Sequence, residues 1–129
     1  MKFCESCIEI YHDGNAIQDE VCPKIDCFGK IHTADEMIAP AVRWLFSKGY
    51  EVEDSCSGHA HDPNTLMWIL FRKGISVDTY PQEMDVMLDE DGRLIMKKPF
   101  FYECIIERQR HIFKAVYELT QWVESLEPF

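Results

Sequence analysis

Leu66-Met67-Trp68-Ile69-Leu70-Phe71 is a near-continuous apolar run of strand length, and its reading decides the fold. Apolar residues at both odd and even positions predict a central β-strand buried on both faces. Upstream, Tyr50-Glu51-Val52-Glu53-Asp54-Ser55-Cys56 alternates in strand fashion, and Ser57-Gly58-His59-Ala60-His61-Asp62-Pro63-Asn64 breaks it. Downstream, Ile75-Ser76-Val77-Asp78 is a weaker strand candidate. Residues 84–88 and 93–97 flank Asp89-Glu90-Asp91-Gly92, which reads as a hairpin joined by an Asp-Gly turn.

Two helical patterns bracket these strands. Ile38, Val42, Leu45 and Phe46 recur at helical spacing, with Met37, Ala41 and Trp44 beside them and Gly49 as the stop. Thr33-Ala34-Asp35-Glu36 has the form of a capping box, while Pro40 lies deeper than the first turn and predicts a late start or a kink. Over residues 102–126, Ile105, Ile106, Gln109, Ile112, Phe113, Val116, Leu119, Val123 and Leu126 trace one apolar stripe. Trp44, Trp68, Trp122 and Cys104 read as core, and Arg108 to His111 as a solvated face in preference to a basic stretch that meets an anionic ligand at the loop above. The expected fold is therefore α+β: a small, mostly antiparallel sheet with two helices on one face over residues 33–129. Residues 1–32 form a separate, turn-rich module before it.

The chain has 129 residues, with 23 acidic and 13 basic side chains and a formal net charge of −10. So acidic a surface argues against phosphate-driven binding to nucleic acid. No apolar run approaches bilayer length and no leader-like h-region is visible, which predicts a soluble, cytoplasmic protein away from membranes. The chain has six cysteines, and in that reducing compartment closely spaced ones are expected as metal ligands rather than disulfides.

Four of the cysteines fall within the first module. Cys4-Glu5-Ser6-Cys7 is a C-x2-C knuckle, and Cys22-Pro23-Lys24-Ile25-Asp26-Cys27 supplies a second pair at C-x4-C. Tetrahedral zinc takes four soft ligands at about 2.3 Å, and two paired turns deliver them without a large core. Phe28-Gly29 resembles the tight turn of zinc-ribbon knuckles, whose amides point at the thiolates. Cys4, Cys7, Cys22 and Cys27 are thus the expected ligands of a closed, structural zinc, with His12 and His32 as substitutes. His12-Asp13-Gly14-Asn15 is expected as a hairpin turn following a strand-like run at residues 7–11.

Asp54-Ser55-Cys56-Ser57-Gly58-His59-Ala60-His61-Asp62 is the densest polar cluster, and it sits at the rim of the sheet, where binding residues concentrate. Three chemistries compete with a plain polar turn. Cys56, His59 and His61 would make an open metal site with Asp62 or Asp54 as acid or base. Cys56 would instead be a nucleophile with a histidine base. Alternatively, the small residues Ser55, Ser57 and Gly58 would bring backbone amides to an anion, with His59 as a further donor.

The run of residues 49–71 resembles the Ser-x-Cys-Ser-Gly-Arg segment of wybutosine-pathway tRNA methyltransferases: Ser55, Cys56, Ser57 and Gly58 match, and His59 stands where that family has arginine. It is similar as well to small uncharacterised bacterial and phage proteins carrying an N-terminal zinc-ribbon-like cysteine set and Cys-Ser-Gly-His after such a helix. In the methyltransferases the segment belongs to an α/β domain that handles S-adenosylmethionine and a tRNA base, so the resemblance implies a ligand pocket. Two functions follow as expectations. The first is a zinc-stabilised module that binds a small anionic, nucleotide-like ligand or a protein partner through Ser55, Cys56, Ser57, Gly58, His59 and His61. The second is a small metal-assisted hydrolase or group-transfer enzyme using Cys56, His59 and His61. Exposed sheet edges allow a homodimer without requiring one.

Overall fold

The computed structural model describes residues 1–11 and 20–129, and in it the chain forms β1 (Lys2–Cys4), β2 (Ile10–Tyr11), β3 (Ile31–Thr33), α1 (Ala39–Ser47), β4 (Val52–Cys56), β5 (Leu66–Phe71), β6 (Asp85–Leu88), β7 (Leu94–Pro99) and α2 (Ile105–Ser125). Two antiparallel sheets result, one of order β2-β1-β3 and one of order β4-β5-β7-β6. The turn expected at His12 to Asn15 lies outside the described residues. The strand expected over residues 7–11 is reduced to Ile10–Tyr11, because Ile8 takes a left-handed φ of 67° that no strand allows.

β5 is the inner strand that its apolar run announces, but it is not buried on both faces. Met67, Ile69 and Phe71 are fully buried while Leu66, Trp68 and Leu70 are half-buried, because both helices lie on one side of the sheet. That shared core joins Val52 and Met96 from the neighbouring strands to Ile38, Val42 and Leu45 around α1 and to Ile112, Leu119 and Val123 of α2. Phe3 of β1 is fully buried in the same core. The β6–β7 hairpin forms as expected: the Asp89 carboxylate accepts the amides of Asp91 and Arg93, and Gly92 turns the chain at φ 79°. Residues 75–78 form no strand. Ile75 and Val77 instead pack against the core from a loop.

α1 starts late. Thr33 is paired with Lys2 at the end of β3, so it cannot cap, and the helix begins with Pro40 in its first turn, where the missing N–H costs nothing. The Asp35 carbonyl accepts the amides of Ile38 and Ala39, which leaves the Asp35 carboxylate free for other partners. α2 also corrects the expected stripe. Ile105, Ile106 and Phe113 are exposed, and the buried face is Arg108, Ile112, Ala115, Leu119, Trp122 and Val123. The indole N–H of Trp122 donates to Thr79 Oγ1. Cys104 and Trp44 are exposed rather than core. Among the described residues no helix is long and apolar enough to cross a membrane.

α1 and α2 run side by side in the same sense. Their carboxyl ends meet at Lys48, whose Nζ donates to the carbonyls of Val123, Glu124 and Leu126 at 2.7–2.8 Å. An ammonium at that position satisfies orphan carbonyls and opposes the negative end of the helix. Lys48→Met should therefore lower stability by about 1–2 kcal/mol with the fold retained, read as the urea midpoint.

His32 lies between the rings of Phe3 and Phe46, at centroid distances of 5.3 and 5.0 Å, with Nδ1 3.4 Å from Glu5 Oε1. Burial pushes its pKa below the usual histidine value, against the pull of Glu5. Below about pH 6.5 the unfolded chain protonates at this residue before the folded one does, so folding stability falls as pH falls. The stability difference between wild type and His32→Gln should shrink between pH 7.5 and the acid range. A difference independent of pH would mean that His32 does not titrate differently on folding.

Candidate metal centre and rim cleft

The first candidate site is built by three segments that share only a small core of Cys4, Cys22 and Ile31. β1 ends at Cys4, the following turn returns Cys7, and the segment before β3 brings Cys22 and Cys27. All six cysteines of the chain are free thiols. Cys4, Cys7, Cys22 and Cys27 place their sulfurs within 4.8 Å of one another. Cys4 Sγ stands 3.6 Å from Cys27 Sγ, and Cys7 Sγ 3.8 Å from Cys22 Sγ. A tetrahedron with arms of about 2.3 Å has edges of about 3.8 Å, so the spacing suits one metal ion.

The surroundings fit the same purpose. The amides of Ser6 and Cys7 both lie 3.4 Å from Cys4 Sγ, and the Tyr11 hydroxyl stands 3.0 Å from Cys22 Sγ. Burial pushes the Cys4 thiol up to about 12, although the two amides pull the other way. At Cys22 burial also opposes the thiolate, but donation by Tyr11 and by the Lys24 amide outweighs it and brings the group down to about 7. The amides expected from the Phe28-Gly29 turn are thus replaced by those of Ser6 and Cys7 in the first knuckle and of Lys24 in the second pair. Gly29 serves the cluster in another way, by leaving room: a Cβ there would overlap Cys4 Sγ and crowd Ser6. His32 is held by Glu5 and stays outside the sulfur cluster, and His12 lies outside the described residues.

Glu5, between the two cysteines of the first knuckle, ties this module to the large sheet. Its carboxylate is 8% exposed and accepts two bonds from Arg72 Nη2, at 2.6 and 2.9 Å, just beyond β5. Arg72 also reaches Glu51 and Glu53, and its guanidinium rests 5.5 Å from the Phe46 ring centroid.

The second candidate site is the rim loop after β4. A bulge between Val52 and Asp54 shifts the register, so that Ser55 rather than Asp54 stands opposite Ile69. Ser55 Oγ is buried and has no hydrogen-bond partner among the described residues. Cys56 Sγ stands 3.6 Å from His59 Nε2, and Asp35 Oδ2 lies 3.9 Å from the same nitrogen. His61 does not join them. Its ring centroid is 5.8 Å from that of His59, and it lines the adjoining cleft. Burial raises the Cys56 thiol above its usual range, and the carboxylates of Asp35 and Asp54 raise it further.

Three amides of the turn are already engaged. Ser57 N donates to Asp35 Oδ2, Gly58 N to Cys56 Sγ, and His59 N to Thr65 Oγ1. The amide cradle for an anion expected at this turn is therefore not formed. Nor is the nucleophile–base–orienter relay, since Cys56 and Asp35 both address Nε2 of His59 instead of opposite ring nitrogens. The cleft has a volume of about 470 Å³, and its wall includes Asp35, Glu36, His59, His61, Ile105 and Gln109. The amino-terminal ends of both helices border it. Arg108 braces the loop from α2: it is 6% exposed and donates to the carbonyls of Ala60, Tyr102 and Glu103 at 2.6–2.9 Å.

No family model matches the chain, and no curated protein or solved structure is significantly similar to it. The site therefore rests on its own geometry. Asp35 and Arg108 are the residues that sequence reasoning missed. Asp35 reads as a helix-start acid and Arg108 as part of a charged surface run, and only the return of the rim loop brings either of them to it. Gly29→Ala should cost about 1–3 kcal/mol by displacing Cys4, with cation affinity falling alongside. An unchanged denaturation midpoint would mean that the knuckle can give way.

Proposed function

We propose that this protein is a zinc-stabilised binding module, with a structural zinc on Cys4, Cys7, Cys22 and Cys27 and a ligand site in the rim cleft at residues 57–61. The observation that carries the reading is the four-sulfur arrangement, with 3.6 and 3.8 Å between paired sulfurs. Four thiolates without a cation would repel one another, and zinc is the ion whose four-coordinate structural sites use this donor set. All four positions are filled by protein, so the ion holds the fold and leaves none open for chemistry. The small core beneath it, Cys4, Cys22 and Ile31 with Tyr11 against them, is too slight to hold the segment alone.

The ligand site is supported by the cleft between the two helix starts and the loop, with the loop held at Ala60 by the buried Arg108. Asp35 and Glu36 on its wall disfavour a bare anion, so a nucleotide-like ligand enters only with a cation beside it. Polar groups that meet His59, His61 and Gln109 suit the wall as it stands.

Cys22→Ser should remove the bound zinc and cost several kcal/mol, because metal binding to such a segment is coupled to its folding. Elemental analysis with a thermal melt checks both parts. A variant that melts at the wild-type temperature would overturn the structural zinc.

A further inference from the structure

We propose that Asp35, Cys56 and His59 form a second, open metal site that binds a divalent transition ion, zinc by the chemistry of its donors, with its free coordination position facing the cleft. The proposal deepens the cleft reading above by naming what the cleft holds, and it does not depend on the structural zinc.

The three donor atoms lie within 4.8 Å of one another. They come from separate places in the fold: Asp35 from the turn before α1, Cys56 from the last position of β4, and His59 from the loop. Zinc with a sulfur arm of about 2.3 Å and a nitrogen arm of about 2.0–2.1 Å sets a sulfur–nitrogen edge of about 3.5–3.6 Å. The Cys56 Sγ to His59 Nε2 distance is 3.6 Å. The nitrogen–oxygen edge would be about 3.4 Å. The separation found is 3.9 Å, a gap that a small rotation of the half-exposed His59 ring closes.

Convergence on one ring nitrogen separates this arrangement from a proton relay. A base oriented by a carboxylate uses its two ring nitrogens for two partners, whereas a metal gathers several donors around one point. The supporting bonds also fit metal ligation. Asp35 Oδ2 is fixed by the amide of Ser57 at 3.1 Å and by its hydroxyl at 3.3 Å. The Gly58 amide meets Cys56 Sγ at 3.4 Å, the same i+2 contact and distance that Ser6 makes to Cys4 Sγ in the four-cysteine cluster. Hydrogen bonds of this kind orient ligands and stabilise their anionic forms.

Three protein donors leave one tetrahedral position open, the arrangement of zinc sites that bind water or substrate. A zinc ion on one thiolate, one carboxylate and one neutral imidazole is formally uncharged. Its fourth position then takes water or the oxygen of a polar ligand, and Asp35 no longer repels an approaching anion.

The test counts zinc in full-length protein that has been stripped with chelator, equilibrated with zinc chloride and freed of unbound ion. Wild type and His61→Ala should hold two equivalents, and His59→Ala and Asp35→Asn one. Cobalt loading supplies a second readout, since the thiolate-to-cobalt absorption of the second equivalent should vanish in Cys56→Ser. His59 is half-exposed, so chelated His59→Ala should melt with chelated wild type, which separates ligand loss from unfolding. One equivalent in wild type, unchanged in His59→Ala, overturns the open site and leaves the structural zinc standing. Two equivalents retained in both His59→Ala and Asp35→Asn overturn it as well. No zinc in wild type overturns both metal sites together.

Discussion

Four sulfurs within 4.8 Å of one another are the constraint on which the amino-terminal part of the molecule depends. They converge from turns that bury almost no large apolar side chain beyond Ile31 and Tyr11, so packing alone does not explain why the turns adopt one conformation. The backbone bears the marks of that convergence. Ile8, Glu20, Asp26 and Phe28 all take left-handed φ values, a conformation that costs an L-residue about 1 kcal/mol or more and persists only where surroundings over-determine it.

The cysteine cluster is not isolated from the rest. Phe3, one residue before Cys4, enters the main core, and Glu5, one residue after it, is held by Arg72 at the end of β5. A largely buried pair of this kind has strict geometry, and losing either partner would leave a buried charge behind. The first knuckle is therefore placed relative to the large sheet by an apolar anchor on one side of Cys4 and an ionic one on the other. The rim cleft lies at the other end of α1, away from the Lys48 cap, so the two parallel helices hold the cleft wall from their amino ends while Lys48 ties their carboxyl ends together.

The two candidate sites differ in what they leave open. The four-cysteine cluster surrounds its centre with protein donors, which suits a structural role. The rim loop brings three donors of mixed type to the edge of a cleft whose wall is acidic. The amides of Ser57, Gly58 and His59 are turned inward on Asp35, Cys56 and Thr65, so these three are not free to meet a ligand there.

Local pattern by itself determined the α+β class, the inner position of residues 66–71, the Asp89 hairpin and the spacing of the cysteine pairs. Each of these depends on neighbours in sequence: period of apolar residues, turn chemistry, or the short reach of a knuckle. Pro40 also spoke for a late helix start, which is where α1 begins. Tertiary structure decided what depends on distant partners. The face of α2 that is buried turned on Arg108, an ion that enters the apolar stripe because three loop carbonyls await it, while Ile106 and Phe113 stay exposed. Asp35 looked like a helix-start acid until Thr33 was taken by β3 and residues 57–59 returned beside it. Sequence spacing pairs His59 with His61, but the loop turns one ring toward Cys56 and Asp35 and leaves the other on the cleft wall. A side chain's direction is set by the backbone it hangs from and the groups that meet it, and neither is written in the spacing of two histidines.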